Sequence, residues 1–417
     1  METTNQHIDH LFRREYGKII AILVAKFGTN NIEYIEDAVQ DSLIKAMQIW
    51  GYKEIPKNPT AWLLKVAKNT LVDALRKAAR IQLKECKDFT NKTSKNEQDK
   101  EILDNAINDS QLKMIFACCH PSLSIDSQII LSLKLIGGFS NKEIARVVLK
   151  KEEAVAKSFT RAKKKLKQHI KTLKIPIEMG LQTRLFGVLR VVYLMFTEGY
   201  SATLGTQIIK KDFCYEAIRL ALLLNKNDYC KHPDLHGLIA LMCFHVARFE
   251  ARIDDKGNLI TLENQDREKY NRQLINIGIH HLEKSKPQGS PISNYQLEAA
   301  VSYYHCKAVR FEDTEWDSIL SLYDAQLRRQ YSRVVQLNRI IPFFKVNGAR
   351  KALVQIKKYE ESDYFEEDAL YFAIKAELMI AMNSPETASK LLKNAIALTT
   401  NKMEKKHLEE KRRTLTS

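Results

Sequence analysis

Glycine and proline are scarce in this chain, at 14 and 9 of 417 residues. With so few chain breakers, and apolar residues recurring at three- and four-residue spacing, the sequence predicts helices almost throughout and an all-α fold. Cysteine is sparse too: seven residues, scattered singly except for one adjacent pair, with no repeated C-x-x-C. That pattern argues against a disulfide framework and for reduced thiols in a cytosol. No apolar run approaches the roughly 18 residues of a membrane span. The start, METTNQHIDHLFRREYGK, has no apolar core of a signal peptide. A cytoplasmic protein without membrane attachment is therefore expected. No P-loop, H-E-x-x-H or Ser-His-Asp order is found, so neither an enzyme nor a cofactor is expected.

What is present is a globular composition, 45% apolar and 28% charged, on a chain long enough for two to three domains. Net charge is +16, and its placement is uneven. Between Lys142 and Lys174, twelve Lys and Arg stand against three acids, Glu143, Glu152 and Glu153. Such density is the footprint of a polyanion binder, or else the solvated face of a helix.

Local pattern separates those readings. In GGFSNKEIARVVLKKEEAVAKSFTRAKKKLKQ, Ser140 and Glu143 form an S-x-x-E capping box that starts a short helix with Ile144, Ala145 and Val148 inward. After a turn near Leu149–Lys151, Val155, Phe159, Ala162 and Leu166 make one buried stripe. Lys157, Thr160, Arg161, Lys164 and Lys167 then face largely outward. Two short helices, the second basic on its free face, read as a helix-turn-helix. A plain helical hairpin is the alternative.

Upstream, DAVQDSLIKAMQIW is an amphipathic helix with Asp37, Gln40 and Asp41 at its start. The loop GYKEIPKNPT leads into AWLLKVAKNTLVDALRK, with Pro59 at a favoured first helical position beside the caps Asn58 and Thr60. Lys65, Lys68, Asn69, Arg76 and Lys77 give this helix a second cationic face. KECKDFTNKTSKNEQDK, at 84–100, is polar and reads as a tether.

The order D-x-x-Q-D, then N-P-x-x-W-L-x-x-V-A-x-N-x-x-x-D-x-L-R, a linker, and a helix-turn-helix ending R-A-K-x-x-L resembles bacterial RNA polymerase sigma factors of the extracytoplasmic-function class. YLMFTEGYSATLG, EAIRLALLL, ARFEARIDDKGNLITLENQDR and VVQLNRI resemble the subgroup with a large tetratricopeptide-like C-terminal extension. The resemblance implies region two at 1–82, a linker at 83–108, region four at 109–175 and a helical extension at 176–417. It implies that Asp37, Gln40 and Asp41 dock on the β′ clamp helices of core RNA polymerase, with the β flap as a further partner. Tyr52, Lys53, Asn58, Trp62, Lys65, Lys68, Asn69 and Arg76 would engage the −10 element of promoter DNA. Trp62 is the exception in kind, since a tryptophan at helical spacing is more often core. Ala156, Lys157, Thr160, Arg161 and Lys164 would read the −35 element. Here the chain departs from the family: Glu153 to Ser158 replace a common Gly-Thr-Val-Lys-Ser-Arg opening, so promoter sequence does not carry over.

In the extension, EEDALYFAIKAELMIAMN and SPETASKLLKNAIALTT predict a tetratricopeptide-like hairpin. Ser384 is its expected cap, Pro385 the first helical residue, and Ala376, Ala388 and Ala395 the small contact positions. DDKGN at 254–258 reads as a turn, flanked by Arg248, Glu250, Arg252, Gln265, Asp266 and Arg267, with Glu198 and Tyr200 able to join them. Two readings stay open there: a regulatory pocket for a ligand or protein, lined by Glu198, Tyr200, Arg248, Arg252, Asp266 and Arg267, or an ion-paired network bracing the helices. Cys230, His232, His236, Cys243 and His245 fit no standard zinc spacing. Cys118 and Cys119 in FACCHPSL are neighbours, so the pair is not expected to line one buried stripe; Pro121 reads as a helix stop and His120 as its cap. A DNA-binding regulator or scaffold with a partner-binding repeat domain is the alternative to a sigma factor.

Overall fold

The computed structural model describes residues 2–50, 52, 54–79, 97–148, 150–174, 179–200, 211–254, 258–286, 289, 292–362, 368–399 and 402–416. Among them are nineteen α-helices and no strand, with one isolated antiparallel bridge between Ile253 and Leu259. None of these helices is long and apolar enough to cross a membrane. The chain forms two compact units, Met1–Met195 with Tyr215–Cys230, and Phe196–Cys214 with Lys231–Ser417.

The first unit opens with α1 (Glu2–Phe27), α2 (Ile32–Trp50) and α3 (Pro59–Ala79), which pack on one another. Ile19, Ile20, Leu23 and Val24 of α1 are buried, as are Ile35 and Val39 of α2 and Leu63, Ala67 and Leu71 of α3. Their three- and four-residue spacing turns one stripe of each helix inward. A buried acid adds a polar tie: Glu15 accepts hydrogen bonds from Thr60 Oγ1 (2.7 Å) and Lys18 Nζ (2.8 Å).

Helix α4 (Glu97–Cys118) runs against α1 and is followed by α5 (Ile125–Leu135), α6 (Asn141–Val147) and α7 (Glu152–His169). It begins inside the segment expected as linker; residues 80–96 lie outside the described set. Helix α1 meets the end of α5 at Gly17, where a Cβ would fall 1.9 Å from the Ile136 carbonyl oxygen. Cys118 and Cys119 are both buried. Met114 to Cys119 are buried without a break, so the end of α4 is covered on every face and both neighbours lie inside. Burial pushes the Cys119 thiol up to about 12 and Cys118 well above its ordinary value, the opposite of an activated thiol. His120 bonds forward to Ser122 rather than back onto the helix, its Nδ1 lying 2.7 Å from Ser122 Oγ and accepting from Ser122 N.

Helices α8 (Met179–Tyr200) and α9 (Lys211–Asn225) follow, and Arg219 of α9 binds Glu216 and donates to Gln111 Oε1 of α4 (3.1 Å). The second unit is built around α10 (Pro233–Ala247), buried on nearly every face, as a helix apolar all round must be. After the short α11 (Phe249–Arg252), α12 (Arg272–Lys284) and α13 (Asn294–Lys307) cover α10. Then α14 (Trp316–Arg329), α15 (Arg333–Asn347), α16 (Ala349–Ser362), α17 (Ala369–Ala381), α18 (Pro385–Leu398) and α19 (Lys402–Thr416) each pack on the preceding helix. The expected hairpin is α17–α18, with Pro385 in the first turn and Ala376, Ala388, Leu392 and Ala395 fully buried. Ser384 occupies the cap position but makes no side-chain cap bond, against expectation. Of the DDKGN stretch, 255–257 lie outside the described residues; its ends bond each other, Asp254 N to Asn258 O (3.0 Å) and Asn258 N to Asp254 Oδ1 (2.7 Å).

Candidate nucleic-acid interface

Helix α2 has two chemical faces. Ile32, Ile35, Ala38, Val39 and Ala46 are buried, while Asp37, Gln40 and Asp41 are exposed together. Ile44 and Met47 continue that outer surface at 52% and 48% exposure, too apolar to be placed there by solvation alone. Sequence reading missed these two; their clue was an apolar residue in a phase already assigned to water.

Beyond α2, Tyr52 is 95% exposed, and Lys53 lies outside the described residues. Asn58 Oδ1 accepts from Ala61 N (3.0 Å), so this side chain caps α3. Trp62 is half-buried, its ring centroid 5.3 Å from that of the buried Trp50. Lys65, Asn69 and Arg76 are exposed and Lys68 half-buried. Arg76 lies 3.9 Å from Asp73 on the surface.

The helix-turn-helix signals appear as atoms. Ser140 N and Oγ donate to Glu143 Oε2 (2.9 and 2.8 Å), and Glu143 N donates to Ser140 Oγ (3.2 Å). In α7 the buried set is Val155, Phe159, Ala162 and Leu166. Lys157, Thr160, Arg161 and Lys164 are exposed, with Ala156 half-buried. Thr160 Oγ1 donates to the Ala156 carbonyl (3.1 Å), and Arg161 Nε points back to the Lys157 carbonyl (3.4 Å). Glu152 and Glu153 lie in the first turn, where carboxylates suit the helix dipole.

Two cations of α7 are already engaged. Lys163 pairs with Glu36 and Lys167 with Glu33, so Lys167 is not the free outward cation expected. Both acids belong to α2, next to Asp37. Lys163 also lies 4.6 Å from the Phe159 ring centroid. Burial raises the Glu36 carboxyl, and Lys163 only partly offsets it. For Glu33 burial acts in the same sense, yet the Lys167 hydrogen bond and charge prevail and hold the carboxyl below its usual range. Thr29 Oγ1 also donates to the Ile170 carbonyl, and Thr29 N lies 3.4 Å from the Lys171 carbonyl.

Residues 11–81 match the family described as Sigma-70 region 2, and residues 113–166 match Sigma-70, region 4. An uncharacterized protein of Rhizobium meliloti (strain 1021) is 33% identical over 378 residues, covering 90% of this chain and 88% of its own. This chain belongs to the sigma-70 family. Its two sigma regions with a C-terminal extension are the arrangement typical of the extracytoplasmic-function type. Residues 184–286 match a family of unknown function, DUF6596. No solved structure matches. Sigma-70 regions 2 and 4 serve promoter-directed transcription.

The sigma-70 chain also brings together part of its expected C-terminal pocket. Arg248 Nε and Nη2 donate to Gln265 Oε1 (3.2 and 3.1 Å), which also accepts from Tyr270 OH (2.9 Å). The Arg252 guanidinium sits 3.9 Å from the Tyr200 ring centroid, and Arg267 Nη1 donates to the His305 carbonyl. Asp266 is apart: exposed, it accepts from Glu268 N (2.9 Å). Glu250 pairs outward with Lys211 (2.5 Å), and the Glu198 side chain lies outside the described set. Among the described residues these arginines are held by Gln265, Tyr200 and the His305 carbonyl, and neither Asp266 nor Glu250 pairs with them.

Proposed function

We propose that this protein binds core RNA polymerase and directs promoter-specific initiation in the cytoplasm, under the control of its C-terminal unit. In this reading Asp37, Gln40 and Asp41 dock on the β′ clamp helices, Ile44 and Met47 extend the contact, and region 4 meets the β flap. Tyr52, Lys53, Lys65, Lys68, Asn69 and Arg76 take the −10 strand, an exposed tyrosine among cations being suited to unpaired bases. Asn58 and Trp62 shape that surface from within. Lys157, Thr160, Arg161 and Lys164 meet the −35 major groove, beside Ala156. The C-terminal helical hairpins are read as tetratricopeptide-like.

The observation that carries the reading is the outer face of α2. Three polar and two apolar residues share it in solvent, and a simple DNA-binding regulator has no use for such a stripe. Transcription with purified core polymerase on genomic fragments tests it. Wild type is expected to bind core and start transcripts, and Asp37→Ala with Asp41→Ala to lower core affinity at least about tenfold. A protein that binds DNA but not core, unaffected by these changes, is the DNA-binding regulator or scaffold instead.

A further inference from the structure

Burying a guanidinium is costly unless a counter-charge is buried beside it. Three arginines of the C-terminal unit meet without one among the described residues. Arg248 and Arg267 are each 8% exposed, and Arg252 is half-buried. Arg248 and Arg252 both bear on His245, and Arg248 and Arg267 both on His305 and Tyr270. Among the described residues no carboxylate pairs with any of the three. The acids nearby serve other groups: Glu250 binds Lys211, Asp254 binds Asn258, Asp266 caps Glu268, and Glu315 binds Lys307.

The acceptors these arginines have are neutral: Gln265 Oε1, the Tyr270 and Tyr200 hydroxyls, and the carbonyls of Tyr200 and His305. Arg267 Nη2 is buried with no acceptor, as are His305 Nδ1, His245 Nδ1 and Thr314 Oγ1. Burial, then Arg248 and Arg267, push His305 down to about 3, so it adds donors or acceptors but no charge near neutral pH. The cluster thus gathers three positive charges, Arg248 on Gln265, Arg252 on Tyr200 and Arg267 on His305, with no carboxylate on them among the described residues.

We propose that this cluster binds a small oxyanion, a carboxylate or a phosphate ester, whose charge completes the arginine set. Guanidinium forks match both groups through paired N–H donors. Rings stand beside the cations: the Tyr200 centroid lies 4.4 Å from that of His245 and 6.1 Å from that of Phe249, so the anion would carry an organic body. Arg252 and Tyr200, the half-buried members, form the side a ligand would enter. That the anion controls transcription rests on the regulatory reading above; that it binds does not.

The test uses the full-length protein without polymerase. Thermal unfolding and titration calorimetry are run with inorganic phosphate, citrate and benzoate, each against sodium chloride at matched ionic strength. At least one probe is expected to raise the unfolding temperature by several degrees and to saturate, and comparison of the three separates carboxylate from phosphoryl preference. Arg252→Gln should weaken that probe about tenfold, the loss of one charge-assisted contact. Gln265→Glu supplies the charge covalently: it should raise the unfolding temperature without anion and abolish the response. A wild type indifferent to all three probes, or a Gln265→Glu protein that responds like wild type, overturns the proposal. So does a response that Arg252→Gln retains in full, which marks an adventitious ion only. A chain inactive with core polymerase that still binds its anion keeps this site and loses only the sigma reading.

Discussion

Two groups of cations in this chain live in opposite surroundings. On α7, Lys157, Arg161 and Lys164 stand in water around a helix that an apolar stripe holds in place. In the C-terminal unit, Arg248 and Arg267 are buried and held by a glutamine, a phenol and backbone carbonyls. Solvated cations contribute little to folding and remain available to a partner. Buried ones shape the fold itself, and their uncompensated charge is a liability until an anion arrives. The lesson is that a count of basic residues says little about binding until each one's surroundings are known.

The comparison breaks most sharply if charge rather than packing holds α7. Phe159→Ala should cost about 3–5 kcal/mol by leaving a cavity under the helix. Lys164→Ala should change stability by less than about 0.5 kcal/mol; urea unfolding followed by circular dichroism measures both. A similar loss for the two would sink the argument.

A pH titration of stability comes next in size. The imidazoles of His281 and His305 are pushed down to about 4 and about 3, by burial first, then by His236 for the one and Arg248 for the other. Below about pH 6.5 the unfolded chain takes up protons that the folded chain refuses, so stability is whole above that value and falls as the solution is acidified toward pH 3. Calorimetry should show a C-terminal transition moving to lower temperature between pH 6.5 and 4; an unmoved transition contradicts the burial of these rings.

Smaller again is the effect of freeing α7 from α2. Glu33→Ala with Glu36→Ala releases Lys167 and Lys163 and should strengthen non-specific duplex binding by roughly tenfold at low salt. Fluorescence anisotropy would report it. The least change is expected from Arg267→Met, which exchanges a guanidinium lacking an acceptor at Nη2 for an apolar chain. Without anion its stability should match or exceed wild type by about 1 kcal/mol, while a clear loss would mean the charge is already satisfied.

Much of this was legible in the sequence because it is written in near neighbours. The Ser140–Glu143 box, the Val155–Leu166 stripe, Pro385 and the α17–α18 hairpin all follow from spacings of a few residues. The bonding of Asp254 to Asn258 was readable for the same reason. What escaped lies between distant segments or in how a helix end is covered. Lys163 and Glu36 are 127 residues apart, and no local pattern announces their meeting. Cys119 is buried beside Cys118 because the end of α4 is covered on every face, by packing that its own spacing does not announce. Around Arg248, Arg252 and Arg267 the sequence leaves both a pocket and an ion-paired network open, because it does not show that Asp266 and Glu250 turn to solvent.

The pairing of α7 with α2 has a consequence for salt. A DNA-binding helix normally gives up affinity as salt rises, by close to one power of concentration for each phosphate its cations neutralise. Lys163 and Lys167 already carry counterions of the protein's own making, the carboxylates of Glu36 and Glu33. Binding through them would displace a carboxylate instead of freeing mobile anions, and added salt would weaken the internal pair along with the external one. Intact, this protein should therefore show a shallower salt slope than its basic sequence implies, and ionic strength would act on its own closure before it acts on DNA.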